Sequence, residues 1–69
     1  MPEVIVHALS GRTPEQKRRL MKAITEAVAE HFEVPAAGIV VQIVESPADS
    51  KSKGGVPYSD IFKALPSRG

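Results

Sequence analysis

The 69-residue chain has no cysteine. Disulfides and thiolate metal sites are thereby excluded, and its two histidines, His7 and His31, stand too far apart to suggest a ligand pair. Charge of neither sign dominates: nine basic side chains face eight acidic ones, for a net charge of +1. That balance argues against nucleic acid as a partner, since such binders carry a marked basic excess. No apolar run approaches the roughly 18 residues that a membrane-crossing helix requires. The opening residues lack the basic-then-apolar layout of a secretory signal, so the cytoplasm is the expected location. Neither a repeat nor a linker interrupts the chain, and one domain is expected over residues 1–69.

Apolar residues make up 42% of the chain, which is ordinary for a folded protein. A chain this short buries only about 60% of the surface it exposes when unfolded. Small domains without disulfides or metal usually gain the missing burial from partner subunits. Self-association is therefore expected.

VIVHAL, Val4 to Leu9, is short and rich in β-branched residues, which predicts a strand. Pro2 suits the strand's leading position, where a missing N–H costs least. Ser10-Gly11 breaks the pattern. TPEQ, Thr13 to Gln16, then predicts a helix start: Thr13 as cap, Pro14 at the first helical position, Gln16 closing a capping box and Glu15 opposing the dipole. Leu20, Met21, Ile24, Ala27, Val28 and Phe32 recur at three- and four-residue steps, so an amphipathic helix of about five turns should end near Glu33, ahead of Pro35. IVVQIVE, Ile39 to Glu45, is nearly continuously apolar, as a strand covered on both faces tends to be. The tail predicts loop, a short hairpin around GGVPY and one helical turn near Asp60 to Ala64.

The order strand, helix, strand implies an α+β fold: a β-α-β unit with parallel strands and a right-handed crossover. One helix covers one face of such a sheet. The other face and both edges stay open, and pairing with a second copy would cover them.

Met1-Pro2, GRTPEQK (Gly11 to Lys17), the apolar second strand ending in Glu45, and Gly54-Gly55 occur here in one order and spacing. In that arrangement the chain resembles the tautomerase superfamily, specifically the small 4-oxalocrotonate (2-hydroxymuconate) tautomerase group. The resemblance covers about nine-tenths of the sequence and fades after Asp60. It implies β-α-β units that pair into a four-stranded sheet backed by two helices, three such dimers forming a hexamer. It also implies active sites shared between subunits, no cofactor, and a small anionic enol or dienol acid as substrate, of the kind met in aromatic-compound catabolism.

By the same resemblance Pro2, freed of Met1, is the catalytic base. An α-amino group ordinarily titrates near pH 8. Apolar surroundings and nearby positive charge lower that value, and a base poised near 7 can both accept and return a proton. Val4, Leu9 and Val40 could wall such a pocket, and Arg12 and Lys51 could charge it. Arg12 matches a family arginine that holds the substrate carboxylate from a neighbouring subunit, a task suited to the planar guanidinium. Leu9 matches a position whose backbone lies near the substrate. His7 matches a family histidine outside the chemistry and is expected in an assembled core or interface. His31 suits the helix C-terminus. The bland readings are a strand-starting proline, a surface arginine and a solvated SKSK loop.

Two positions depart from the family pattern. Val40 stands where better-known members carry a second arginine, and Lys51 where they carry an aromatic. Losing such a cation costs on the order of 3 kcal/mol of transition-state stabilisation if it acts like an oxyanion donor. Lys51, or Lys53, could restore a cation to the pocket. The departures widen the substrate range to a monocarboxylate enol of the phenylenolpyruvate kind. They also keep open a noncatalytic or hetero-oligomeric partner subunit. Hydratase or dehalogenase relatives use the same proline with a water-activating glutamate; the matching position here is Lys53.

Overall fold

The structure, a computed structural model of the chain, describes residues 2–63. Two strands, β1 (Glu3–Leu9) and β2 (Val40–Ser46), run parallel, paired from Glu3 with Val40 to Leu9 with Ser46. The helix α1 (Pro14–Phe32) connects them. Beyond β2 the chain forms a two-residue hairpin, β3 (Ser52–Lys53) with β4 (Val56–Pro57), and a short helix α2 (Tyr58–Lys63). The result is the expected α+β unit.

Local chemistry explains each boundary. The Thr13 hydroxyl accepts the Gln16 backbone N–H at 3.1 Å, and the Gln16 side chain accepts the Thr13 N–H at 2.9 Å, so two orphan donors of the first turn are satisfied. The helix ends near Glu33, as predicted: Glu33 caps it in the left-handed conformation (φ 55°, ψ 49°), and its N–H returns to the Ala29 carbonyl. The hairpin turn is Gly54-Gly55, both at positive φ (61° and 84°), as a two-residue turn between twisted strands demands. Tyr58 N–H donates to the Lys51 carbonyl at 2.8 Å and ties α2 back to the loop. That bond starts α2 at Tyr58, two residues earlier than predicted; the predicted end at Ala64 lies outside the described residues.

Alternation along the strands divides the sheet into two faces. Val4, Val6 and Ala8, beside Val41 and Ile43, share the face that α1 covers. Met21, Ile24, Thr25, Val28 and Ala29 are its half-buried side. The ion pair between Lys17 Nζ and Glu45 Oε1, at 2.8 Å, fastens the first half of α1 to β2. Glu3, Ile5 and His7, beside Val40, Gln42 and Val44, lie on the opposite face, which no element among the described residues covers. Leu20 and Phe32, expected in the packed stripe of α1, are 43% and 67% exposed; they flank the stripe rather than fill it.

None of the described residues is fully buried.

Candidate active site

Pro2 and Val40 meet at one end of the sheet. The Val40 N–H donates to the Pro2 carbonyl at 3.1 Å, which fixes Pro2 against the start of β2. Pro2 is half-buried and Val40 is 39% exposed. The charged side chain on the neighbouring strand position is Glu3, the register partner of Val40.

Leu9 and Arg12 meet at the other end. Six residue steps of β1 separate the two ends, about 20 Å. Pro2 and Arg12 therefore lie beyond opposite ends of β1. Arg12 follows Gly11, whose φ of 126° turns the chain out of the strand and ahead of the Thr13 cap. Among the described residues its guanidinium has no hydrogen-bond or ion-pair partner.

Two hollows adjoin Arg12. The first, about 240 Å³, is lined by Ala8, Leu9, Arg12, Lys17, Ile43 and Glu45, with Gln16 and Leu20 completing it. The second, about 350 Å³, lies between the turn from Leu9 to Arg12 and Phe62 of α2. Phe62 is placed by Tyr58, one helical turn earlier, with ring centroids 5.8 Å apart. Lys51 and Lys53 are exposed on the tail and line neither hollow. The candidates thus fall into three groups: Pro2 with Val40, Leu9 with Arg12, and Lys51 apart from both.

Lys17, Glu45 and Phe62 were not singled out from sequence as lining residues. A signal for Glu45 existed. It is the one acidic residue in a nearly apolar strand, and alternation puts it on the helix-covered face, where a carboxylate needs a basic partner on α1. Phe62 offered no comparable signal, because the tail's path is set by tertiary contacts. No group of three or more His, Cys, Asp or Glu side chains among the described residues could hold a metal ion. No helix among them is long and apolar enough to cross a membrane.

The model of the family described as tautomerase enzyme matches residues 2–61. The chain belongs to the tautomerase family. It is an isomerase of that family by its relatives. It is similar to a probable tautomerase of Bradyrhizobium diazoefficiens, at 46% identity over 58 residues, covering 84% of this chain and 87% of that one. It is similar to the 2-hydroxymuconate tautomerase of Bacillus subtilis, at 44% identity over 61 residues, covering 88% and 98%. Among solved structures it resembles a chain of the heterohexameric 4-oxalocrotonate tautomerase of Chloroflexus aurantiacus, with a TM-score of 0.82 and 33% identity over 88% of this chain and 98% of that one. The β-α-β unit with its two parallel strands is the fold of these tautomerases.

Proposed function

We propose that this tautomerase converts a small 2-hydroxydienoate from enol to ketone, with the amino-terminal nitrogen of Pro2 as base once Met1 is removed. The observation that carries the reading is the family match, which takes up at Pro2 and runs through the whole β-α-β unit. The nitrogen takes the proton of the 2-hydroxyl. The O–H electrons become the carbonyl π bond, and the enol double bond shifts outward along the conjugated chain. The protonated proline then returns a proton to the distant carbon. Nothing is gained or lost, so no cofactor is needed. A base that must accept and return the same proton works best with a pKa near the working pH.

Arg12 holds the carboxylate from a neighbouring copy, and Leu9 and Val40 wall the substrate's carbon chain. The placement of Pro2 and Arg12 beyond opposite ends of β1, a strand about 20 Å long, supports this shared site. The assembly is a cytoplasmic homohexamer built from dimers whose open sheet faces and edges meet. The apolar side chains left on the uncovered face support it, Ile5 above all at 51% exposure. His7 is buried in that contact. Lys51 receives a place at the rim rather than a contact with the reacting atoms.

Enol ketonisation followed by ultraviolet absorbance tests the base. Replacing Pro2→Ala should lower kcat by about 100-fold or more, the usual worth of a positioned general base. An unchanged rate in protein shown by intact mass to lack Met1 would remove the assignment. A second reading follows from Val40 and from the heterohexameric Chloroflexus relative: a different chain supplies a cation where this one has valine. Native mass spectrometry of the chain expressed alone, beside the same assay, separates the two. A homohexamer that turns over enol supports the first reading, and an inactive one the second.

A further inference from the structure

We infer that Phe62 of α2 is a substrate-binding residue: with Arg12 of the same copy it forms the anchor for a substrate carboxylate, its ring shielding that ion pair from water. This deepens the proposed tautomerisation and rests on it. Arg12 lines two hollows, and Ala8 and Leu9 line both with it. The hollows differ in charge. The smaller one also carries the Glu45 carboxylate, held by Lys17 at 2.8 Å but still a group of the substrate's own sign. The larger one, about 350 Å³, is completed by Ser10, Gly11 and Phe62. Among the described residues the Arg12 guanidinium is its one ionic group, and that guanidinium has no other partner. An anion that pairs with Arg12 is therefore better accommodated on the Phe62 side.

The larger hollow also has the size for a small acid, since ligand pockets begin at about 300 Å³. Gly11 leaves it open, because a Cβ there would meet nothing within 4 Å. Phe62 is held at its edge by two contacts. The Tyr58 ring lies one helical turn earlier, its centroid 5.8 Å away, and the Tyr58 N–H ties the start of α2 to the Lys51 carbonyl at 2.8 Å. Phe62 is nevertheless 48% exposed, so about half of its surface is free to be covered by a ligand. An exposed guanidinium–carboxylate pair is weak because water and salt screen it. An apolar ring lying over the pair excludes water and strengthens it. The same ring offers its face to the flat conjugated carbons that follow a dienoate's carboxylate. Both contributions are made whether or not the proton has moved, so they belong in KM rather than kcat.

The test uses the full chain with Met1 removed, and sorbate, a conjugated dienoic acid that lacks the reactive 2-hydroxyl. Phe62→Ala should weaken sorbate binding about fivefold, the worth of covering half a phenylalanine side chain. It should raise KM for 2-hydroxymuconate by a similar factor and leave kcat unchanged. Phe62→Leu, which keeps an apolar wall, should recover most of the loss. Added salt should weaken sorbate more steeply in Phe62→Ala than in the wild type, a slope that lost packing alone would not move. Should Phe62→Ala lose helical circular dichroism, Phe62→Trp supplies the reading: the chain has no tryptophan of its own, and the indole emission should change as sorbate saturates. Sorbate that fails to bind the wild type overturns the inference. So does binding that Phe62→Ala leaves unchanged in strength and salt slope, or an indole emission that sorbate does not move. Enol turnover that still depends on Pro2 would then leave the tautomerase reading standing. If the enol is not turned over while sorbate binding follows Phe62 as stated, the proposed reaction fails and the anchor survives.

Discussion

Pro2 and Arg12 are ordinary residues whose value depends on what surrounds them. Arg12 follows a strand, precedes a helix cap and contacts no other charged group among the described residues. A side chain of that kind contributes little to stability, within about 0.5 kcal/mol on replacement. Its expected role is to hold a carboxylate equally in ground and transition states, and such an interaction is seen in KM rather than kcat. Arg12→Ala should therefore raise KM at least tenfold while the melting temperature stays almost fixed. A large loss of thermal stability with unchanged KM would make Arg12 a structural residue instead. The resemblance already marked Pro2, Arg12, Leu9, Val40 and Lys51. What it could not place was their distribution in space. Only the register of β1 on β2 puts Pro2 with Val40, at the end of β1 opposite Arg12, and only the hairpin and α2 carry Lys51 clear of both hollows.

Elements were legible in the sequence where their signals are local. The capping box predicted from Thr13 and Gln16 is formed, with both of its hydrogen bonds. The Gly54-Gly55 turn closes the expected hairpin. The strands are displaced slightly: β1 begins at Glu3 rather than Val4, and β2 spans Val40–Ser46 rather than Ile39–Glu45. Polar Glu3 and Ser46 join the ladder because backbone pairing, not side-chain hydropathy, sets its ends. The helix stop near Glu33 was legible as well, though not the conformation that makes it. Its last residue before the turn is Glu33 in the left-handed region, a conformation that costs a non-glycine residue about 1 kcal/mol or more. Glycine is the usual occupant of that position. Glu33→Gly should accordingly stabilise the fold by about 0.5–1 kcal/mol, since it relieves that strain at a solvent-exposed site. Denaturant titration would register this as a higher midpoint at constant slope. A lower midpoint would mean that the Glu33 side chain contributes something that glycine cannot.

At the scale of the molecule, one copy is an incomplete object. Its main sheet has two strands with a helix on one face, and on the other face Ile5, Val40 and Val44 stand among Glu3, His7 and Gln42 with no cover from the described residues. The continuous apolarity of β2 foretold this from the sequence, because a strand that expects water on one face would alternate. What the sequence could not reveal is how little a single copy buries: none of the described residues passes into the fully buried class. Fully burying an isoleucine side chain is worth about 1.5–3 kcal/mol, and Ile5, 51% exposed in one copy, stands in the middle of the open face between Glu3 and His7. In a symmetric pair that contribution counts twice. Ile5→Glu replaces it with a carboxylate, and the penalty of burying that charge in the contact exceeds the lost apolar contact. Sedimentation should show the wild type as an assembly and Ile5→Glu as a species near the 7.4 kDa of one chain. Because the free copy has so small a core, its helical circular dichroism should fall as well, and the wild type's melting temperature should rise with protein concentration. Enol turnover must vanish with the assembly, since Pro2 and Arg12 then have no neighbour to complete them. A monomeric Ile5→Glu that retained activity would show that one copy suffices by itself, and the shared site would have to be abandoned.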